Sequence, residues 1–167
     1  MIKSISFYCT LTELLNQTIC KLLEKCYSNS LKTIALLDDK NMEEVINNAL
    51  WSFSSISFIP HGCSTDPEPD SQPIYITTSY ENPNQAKILA LVISCNTNHE
   101  NNMNYFQQFE RILIIFKDDY ALINYMNNYY HKLKQDGYSP NYFKQRKQYK
   151  NLHWQLLTAN EINILDT

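Results

Sequence analysis

The spacing of apolar residues along the chain predicts strands that alternate with helices. Continuous apolar runs such as residues 33–37 are typical of parallel strands that are covered on both faces. Five segments have this pattern or a shorter version of it: residues 5–9, 33–37, 74–78, 88–94 and 111–116. Residues 56–59 form a further short strand or extended segment. Apolar residues at helical spacing lie between the strands, so the pattern predicts an α/β domain with a mainly parallel sheet.

Helix-start signals precede three of the helical patterns. Residues 10–13, Thr-Leu-Thr-Glu, fit a capping box, in which the hydroxyl caps the helix and the Glu reaches back. Asp38-Asp39 and Asp118-Asp119 precede the second helix and the last long helix, where carboxylates cap free N–H groups. Gly137 is a good residue to end that last helix. In the second helix one face is expected to be buried: Met42, Val45, Ile46, Ala49 and Leu50.

Composition changes along the chain suggest where the domain ends. Residues 61–73 form an acidic, Pro-rich loop, and residues 96–104 are mostly Asn and indicate a loop lengthened by insertion. From residue 139 the chain becomes basic. We therefore predict an α/β domain over residues 1–140 and a basic C-terminal extension over residues 141–167.

Charge and cysteine content limit the possible environments. The net charge of −3 gives no global attraction to nucleic acid or anionic membrane. The five cysteines are odd in number and none forms a C-x-x-C pair, which favours a reducing compartment. We expect no signal peptide, and no apolar stretch approaches the ~20 residues that span a bilayer. These features predict a cytoplasmic protein with no membrane contact.

Catalytic and cofactor signals are weak. The first strand–helix turn, residues 9–13, has no glycine and places Glu13 where a phosphate would bind, so no nucleotide-binding glycine loop is expected. His61 and Cys63 have no partner at metal-ligand spacing and are better explained as a turn residue beside a small hydrophobe. Cys9 and Cys95 lie at strand ends without an accompanying His/Asp set. No cofactor, metal or catalytic residue is therefore expected.

Two surfaces are candidates for binding. Residues 50–62 concentrate large aromatics before a Pro-His-Gly break, and this segment either completes the core or contacts another protein. The last helix carries a core stripe of Leu122, Met126, Tyr129 and Leu133. A second stripe beside it contains Ile123, Asn127, Tyr130, His131, Lys132 and Lys134. That stripe is either a solvated flank or a site for a peptide with an apolar end and acidic groups. The basic residues 144–150 are either a solvated tail or a helper for the same partner.

Several motifs together resemble a known family. They are Ile-Ser-Phe-Tyr at 5–8, Ala-Leu-Trp at 49–51, Ser-Phe-Ile-Pro-His-Gly at 57–62, Pro-Ile-Tyr-Ile at 73–76, Phe-x-x-Phe-Glu-Arg at 106–111 and a closing helix followed by Gly-Tyr. The order and spacing of these motifs resemble those of the chi subunit of bacterial DNA polymerase III holoenzyme. The resemblance covers roughly residues 4–140. The resemblance implies a non-catalytic protein with a Rossmann-like, three-layer α/β fold and no nucleotide site.

The resemblance also implies partners and site residues. Chi-like proteins join the psi subunit of the clamp loader to the acidic C-terminal tail of single-stranded DNA-binding protein (SSB), so contact with DNA is indirect. Trp51 and Phe58 would contribute to the psi-facing surface, whereas Phe53 and Ile59 would serve the core. The second stripe would receive the SSB tail: Tyr130 matches a family Tyr and Lys134 preserves a cation. His131 and Asn127 replace a Lys and an Arg that are usual in the family. Where psi is absent, a helicase is another possible partner for the aromatic surface.

Two alternatives remain open at this stage. One is a degenerate Rossmann-like enzyme that uses Cys95 or the Asp pairs. The other is a single-strand nucleic-acid-binding protein that uses the basic tail.

Overall fold

The computed structural model describes residues 1–53, 58–94, 102–149 and 151–164, of which residues 163 and 164 contribute backbone only. Within these ranges the strands are β1 Ser4–Thr10, β2 Thr33–Leu37, β3 Gly62–Cys63, β4 Ile74–Thr77, β5 Ile88–Ile93, β6 Arg111–Lys117, β7 Asn141–Gln148 and β8 Asn151–Leu156. The helices are α1 Leu15–Ser28, α2 Lys40–Ser52, α3 Met103–Phe106, α4 Tyr120–Gln135 and α5 Ala159–Ile164. The predicted segment at 56–59 lies partly outside the described residues.

The described strands form one sheet in the order β3-β4-β2-β5-β6-β1-β7-β8. Neighbouring strands are parallel, except for β7 and β8, which pair antiparallel. The predicted mainly parallel α/β architecture is therefore confirmed. The sheet continues beyond the predicted strands, because β7 and β8 extend it past β1.

Two hydrophobic clusters cover the two faces of the sheet and produce three layers. One cluster joins alternate strand residues such as Phe7 and Ile114 to α4 residues such as Met126. The other joins the opposite faces of the central strands to α1 and α2, through residues such as Ile19 and Ile46. The central strands are buried on both sides, which explains their continuous apolar sequence.

The four aspartates that precede helices have three roles, and Asp118 differs from the others because it pairs with Lys144 at 3.0 Å. Asp39 accepts a hydrogen bond from the Asn41 backbone N–H at 2.8 Å, and Asp119 accepts one from Leu122 at 3.3 Å, so both cap helices as predicted. Asp38 instead accepts from the backbone N–H and hydroxyl of Ser94, at 2.8 and 2.7 Å, and joins the ends of β2 and β5. Each capping aspartate therefore lies directly before its helix, whereas Asp38 holds two strand ends together.

The capping box predicted at Thr10 does not form. A short 3-10 turn at Thr12–Leu14 precedes α1, and no side-chain cap bond accompanies it. The Thr10 hydroxyl is buried; it donates to Gln145 Oε1 at 2.7 Å and lies 2.8 Å from the Thr18 hydroxyl. The prediction was wrong because β7 lies beside β1 and supplies a tertiary partner for this hydroxyl.

One residue that was predicted to lie on the buried face of α2 is exposed. Val45 is 43% exposed, whereas Glu43 is buried. The Glu43 carboxylate accepts hydrogen bonds from the Ser64 hydroxyl at 2.6 Å and from Lys40 at 3.0 Å. Both donors act on Glu43 Oε1 and offset part of the cost of burying the charge, so the buried face of α2 includes Glu43 and leaves out Val45.

The C-terminal residues, predicted as an extension, join the sheet. Strand β7 pairs with β1 in parallel, and Tyr142 is buried with its ring stacked on Phe7 at a centroid distance of 5.5 Å. Gly137 ends the preceding helix with a φ of +89°, a conformation that glycine adopts without strain. Residues 141–148 thus contribute directly to the core beside β1.

We expect Tyr142→Ala to lower the free energy of unfolding by about 3–5 kcal/mol, because it removes a large buried ring from the core. Urea denaturation monitored by circular dichroism measures this change. Tyr120→Ala is the matched control: Tyr120 is 67% exposed, and its loss should change stability by no more than about 0.5 kcal/mol. If the two variants behaved alike, residues 141–167 would be an independent extension, as the sequence predicts.

Candidate interaction surfaces

Trp51 and Phe58 form an exposed aromatic pair. Both side chains are 60% exposed, and their ring centroids lie 5.4 Å apart. Trp51 lies in the last turn of α2, and its ring is also 5.1 Å from the ring of His61. The exposure expected of both residues is observed. Their role in binding a partner stays a prediction.

The residues that flank the aromatic pair pack against the core. Ile59 is 2% exposed, and Phe53 packs at the margin of the core cluster beneath α1 and α2, as predicted. His61 is also buried, and its Nδ1 lies 2.7 Å from the carbonyl oxygen of Ile59. His61 therefore anchors the backbone of this segment next to Trp51. Residues 54–57 lie outside the described part of the chain.

The second stripe of α4 is not the open surface that the sequence predicted. Ile123 and Tyr130 are each 6% exposed, and Asn127 is fully buried. Burial raises the pKa of the Tyr130 phenol, whose ring contacts Phe7 at a centroid distance of 5.8 Å. The expected exposure of these three residues is therefore wrong.

Helix α5 accounts for part of this burial. Ile162 is fully buried in the same cluster as Ile123 and Tyr130, and its carbonyl accepts a hydrogen bond from Asn127 Nδ2 at 3.3 Å. Leu157, just before the helix, donates its N–H to the Tyr142 carbonyl at 2.8 Å. The C-terminal segment thus lies against α4, on the stripe assigned to the SSB tail.

A capping box starts α5. The Glu161 carboxylate accepts hydrogen bonds from the backbone N–H and the hydroxyl of Thr158, at 2.7 and 2.8 Å. The Glu161 N–H points back to the Thr158 hydroxyl at 3.4 Å. The backbone hydrogen bond is the main reason that the pKa of Glu161 falls below its ordinary value. The ionised carboxylate therefore favours the folded helix above that ordinary pKa, and this contribution is lost as the pH falls through the lowered value.

The cationic members of the stripe remain at its rim. Lys132 and Lys134 are exposed, and the Lys134 ammonium lies 5.7 Å from the Tyr130 ring centroid. The partly buried His131 ring meets the Tyr130 ring edge to face at 5.5 Å. The stripe therefore has cations beside an apolar patch, as predicted, but the patch is closed by the protein's own C-terminal segment.

The basic segment at 144–150 is not a solvated tail. Most of it forms β7, and Lys144 is buried, with its ammonium 3.0 Å from Asp118 Oδ1. Arg146 Nε donates to Gln155 Oε1 at 3.2 Å. The solvated-tail alternative was wrong because sheet pairing orders most of the segment and gives Lys144 and Arg146 internal partners. A contact with an acidic partner stays a prediction.

The described part of the chain shows no arrangement typical of catalysis. Burial raises the pKa of the Cys9 thiol to about 12 and that of Cys20 to about 11, so neither is an activated nucleophile near neutral pH. Cys95 lies outside the described residues. Among the residues that are described, no three His, Cys, Asp or Glu side chains cluster as metal ligands. No helix within those ranges is both long and apolar enough to span a membrane.

Two elements of the C-terminal segment, α5 and β8, were not predicted, although the sequence contains signals for both. Thr158-Ala-Asn-Glu161 is a capping-box pattern, and it marks the start of α5. Leu152, Trp154 and Leu156 alternate with polar residues, a pattern typical of a strand, and they form β8. Both signals fall within residues 151–167, a stretch without Lys or Arg that the sequence pattern grouped with the basic residues before it.

Comparison with known proteins identifies the family to which this fold belongs. The sequence model of the family described as DNA polymerase III chi subunit, HolC, matches residues 2–141. A relative from Rickettsia prowazekii (strain Madrid E), named probable DNA polymerase III subunit chi, is 40% identical over 111 residues, which cover 66% of this chain and 67% of that protein. The chain therefore belongs to the DNA polymerase III chi subunit family, and it is a non-catalytic accessory subunit that serves DNA replication.

Proposed function

We propose that this protein links the clamp loader, through psi, to SSB during replication, in the cytoplasm. The observation that carries the proposal is the exposed aromatic pair, Trp51 and Phe58, on a buried support. Large aromatics with this exposure are costly in water and are enriched among the residues that dominate binding energy at interfaces. The pair therefore suits an apolar segment of psi, and a helicase segment is the alternative occupant.

The α4 stripe suits the SSB tail in chemistry but is closed in this conformation. The rim lysines match the acidic groups of the tail, and the patch of Ile123 and Tyr130 matches its apolar end. Helix α5 must leave before the tail can use that patch. Residues 159–166 are themselves acidic and apolar, with Glu161 and Asp166 around three aliphatic side chains. The segment thus acts as an internal competitor for the tail.

The two contacts would work together by tethering. One surface would hold the clamp loader, while the other would engage SSB on the coated template. Because the second contact is then intramolecular, two modest affinities give a much stronger overall association. A closed α4 stripe would limit this association to conditions under which the tail displaces α5.

For the psi contact, we expect Trp51→Ala or Phe58→Ala to abolish measurable binding of purified psi by isothermal titration calorimetry. Both side chains are largely exposed, so unfolding free energies should change by no more than about 0.5 kcal/mol. Tyr120→Ala, at a comparably exposed aromatic on α4, should bind psi normally. A loss of several kcal/mol of stability in the Phe58 variant would place that ring in the core instead.

For the SSB contact, we expect a chain that ends at Leu157 to bind the acidic, Phe-terminated tail peptide with micromolar affinity, about −8 kcal/mol at 1 μM. The full chain should bind more weakly, because α5 competes for the same patch. Ile162→Ala in the full chain should bind with intermediate affinity. Fluorescence anisotropy of a labelled peptide measures all three values.

Salt and charge provide the controls for the SSB contact. Binding to the truncated chain should weaken as ionic strength rises, since exposed charge pairs contribute to it, and Lys134→Ala should weaken it further. A peptide without the terminal Phe should bind poorly. If no form of the chain bound the tail at low salt, the SSB role would be lost. Equal affinity for the full and truncated chains would show that α5 is no competitor.

A further inference from the structure

Strand β8 lies at an open edge of the sheet. It ends the strand order and pairs only with β7 among the described strands, so the backbone groups along its outer side have no partner in the sheet. Natural proteins blunt such edges with short strands, charges or proline, because an open edge is a template for another strand. Over Asn151–Leu156, β8 has no proline and no Lys, Arg, Asp or Glu.

An apolar row lies along this edge. Leu152, Trp154 and Leu156 alternate along the strand and therefore share one face of the sheet. They are 43%, 38% and 56% exposed. The Trp154 ring meets the Tyr8 ring edge to face at 5.5 Å, which places the row on the α1 side of the sheet. This row is remote from the α4 stripe, which lies on the opposite face.

A cationic groove runs between the row and α1. A cavity of about 310 Å³ is lined by Leu152 and Trp154 on one side and by Lys21, Leu22 and Lys25 on the other. A second cavity of about 400 Å³ shares Leu22 and Lys25 and adds Arg111. No carboxylate side chain lines either cavity among the described residues. In a chain of net charge −3, this local positive surface is complementary to an acidic partner.

We propose that β8 and this groove, together the edge groove, bind an extended segment of another protein as an added strand. The segment carries apolar side chains that pack on Leu152, Trp154 and Leu156, and Asp or Glu residues that face Lys21 and Lys25. Main-chain hydrogen bonds to the outer side of β8 supply affinity, and the row and the lysines supply specificity. The proposal depends on neither the psi contact nor the SSB contact.

Two other occupants fit the edge groove less well. A second copy of this chain would pair β8 with β8 and would bring a second set of α1 lysines to the same groove. Single-stranded nucleic acid needs open ring faces for stacking. The Tyr8 ring is already stacked on Phe143 at 5.2 Å and capped by the edge of Trp154, and the two leucines of the row cannot stack with bases.

The test is a selection of random linear peptides displayed on phage against the immobilised full chain. We expect enriched peptides in which apolar residues alternate with Asp or Glu. Synthetic versions should lose at least about tenfold in affinity, or about 1.4 kcal/mol, on the double variant Lys21→Glu/Lys25→Glu. The double variant Lys132→Glu/Lys134→Glu, at two exposed lysines on the opposite face of the sheet, is the charge-matched control and should bind as the parent does.

A second measurement locates the bound peptide. In a Trp51→Phe background, peptide binding should change the fluorescence of Trp154, and Leu152→Ala should weaken binding without unfolding the chain. Absence of enriched peptides, or equal affinity for the parent and the double variant, would overturn the proposal. Oligo(dT) binding that the double variant abolishes would assign the groove to nucleic acid. A dimer in sedimentation that Leu152→Asp dissociates would assign it to a second copy.

Discussion

The rest of the structure depends on the aromatic packing around Phe7. Its ring is fully buried, stacks on Tyr142 and meets the rings of Phe116, Tyr129 and Tyr130 edge to face. These contacts join β1, β6, α4 and β7 in one cluster. Aromatic pairs in such geometries are worth about 0.5–1.5 kcal/mol each beyond the area that they bury. Tyr130 therefore belongs to the support of the sheet as well as to the surface of α4.

This packing makes the two faces of the sheet unequal. On the α4 side, the aromatic cluster extends through Tyr142 to β7 and then to α5, so the apolar surface is closed by the chain itself. On the α1 side no described helix covers β8, and the apolar row of that strand stays exposed. Apolar surface on the α4 side thus becomes accessible only when α5 moves away, whereas the apolar row on the α1 side is already accessible. The aromatic pair lies at the end of α2, where the side chains of Ile59 and Phe53 pack with the cluster on the α1 and α2 face while Trp51 and Phe58 stay exposed.

Much of the fold was predictable because its signals are local. The strands predicted at 33–37, 88–94 and 111–116 were found because burial on both faces makes their central positions a continuous apolar run. Asp39 and Asp119 were found as caps because a carboxylate before a helix satisfies free N–H groups wherever the helix packs. The capping role predicted for Thr10 was wrong, because its hydroxyl donates to Gln145, a residue far away in sequence. In the candidate binding surfaces, the exposure of Trp51 and Phe58 was predicted, whereas the burial of Tyr130 was not.

The sequence by itself determined the alternation of strands and helices as far as α4, the mainly parallel sheet, the aromatic segment and the likeness to the chi family, because each depends on residue types at short spacing. The tertiary structure decided that residues 141–148 join the sheet, that Lys144 pairs with Asp118, and that α5 lies on α4. It also decided that β8 lies at an edge of the sheet. These outcomes depend on contacts between segments distant in sequence, where basic or alternating residues are compatible with either a solvated tail or a strand. Only the neighbour that each segment meets, such as Phe7 beside Tyr142, selects between them.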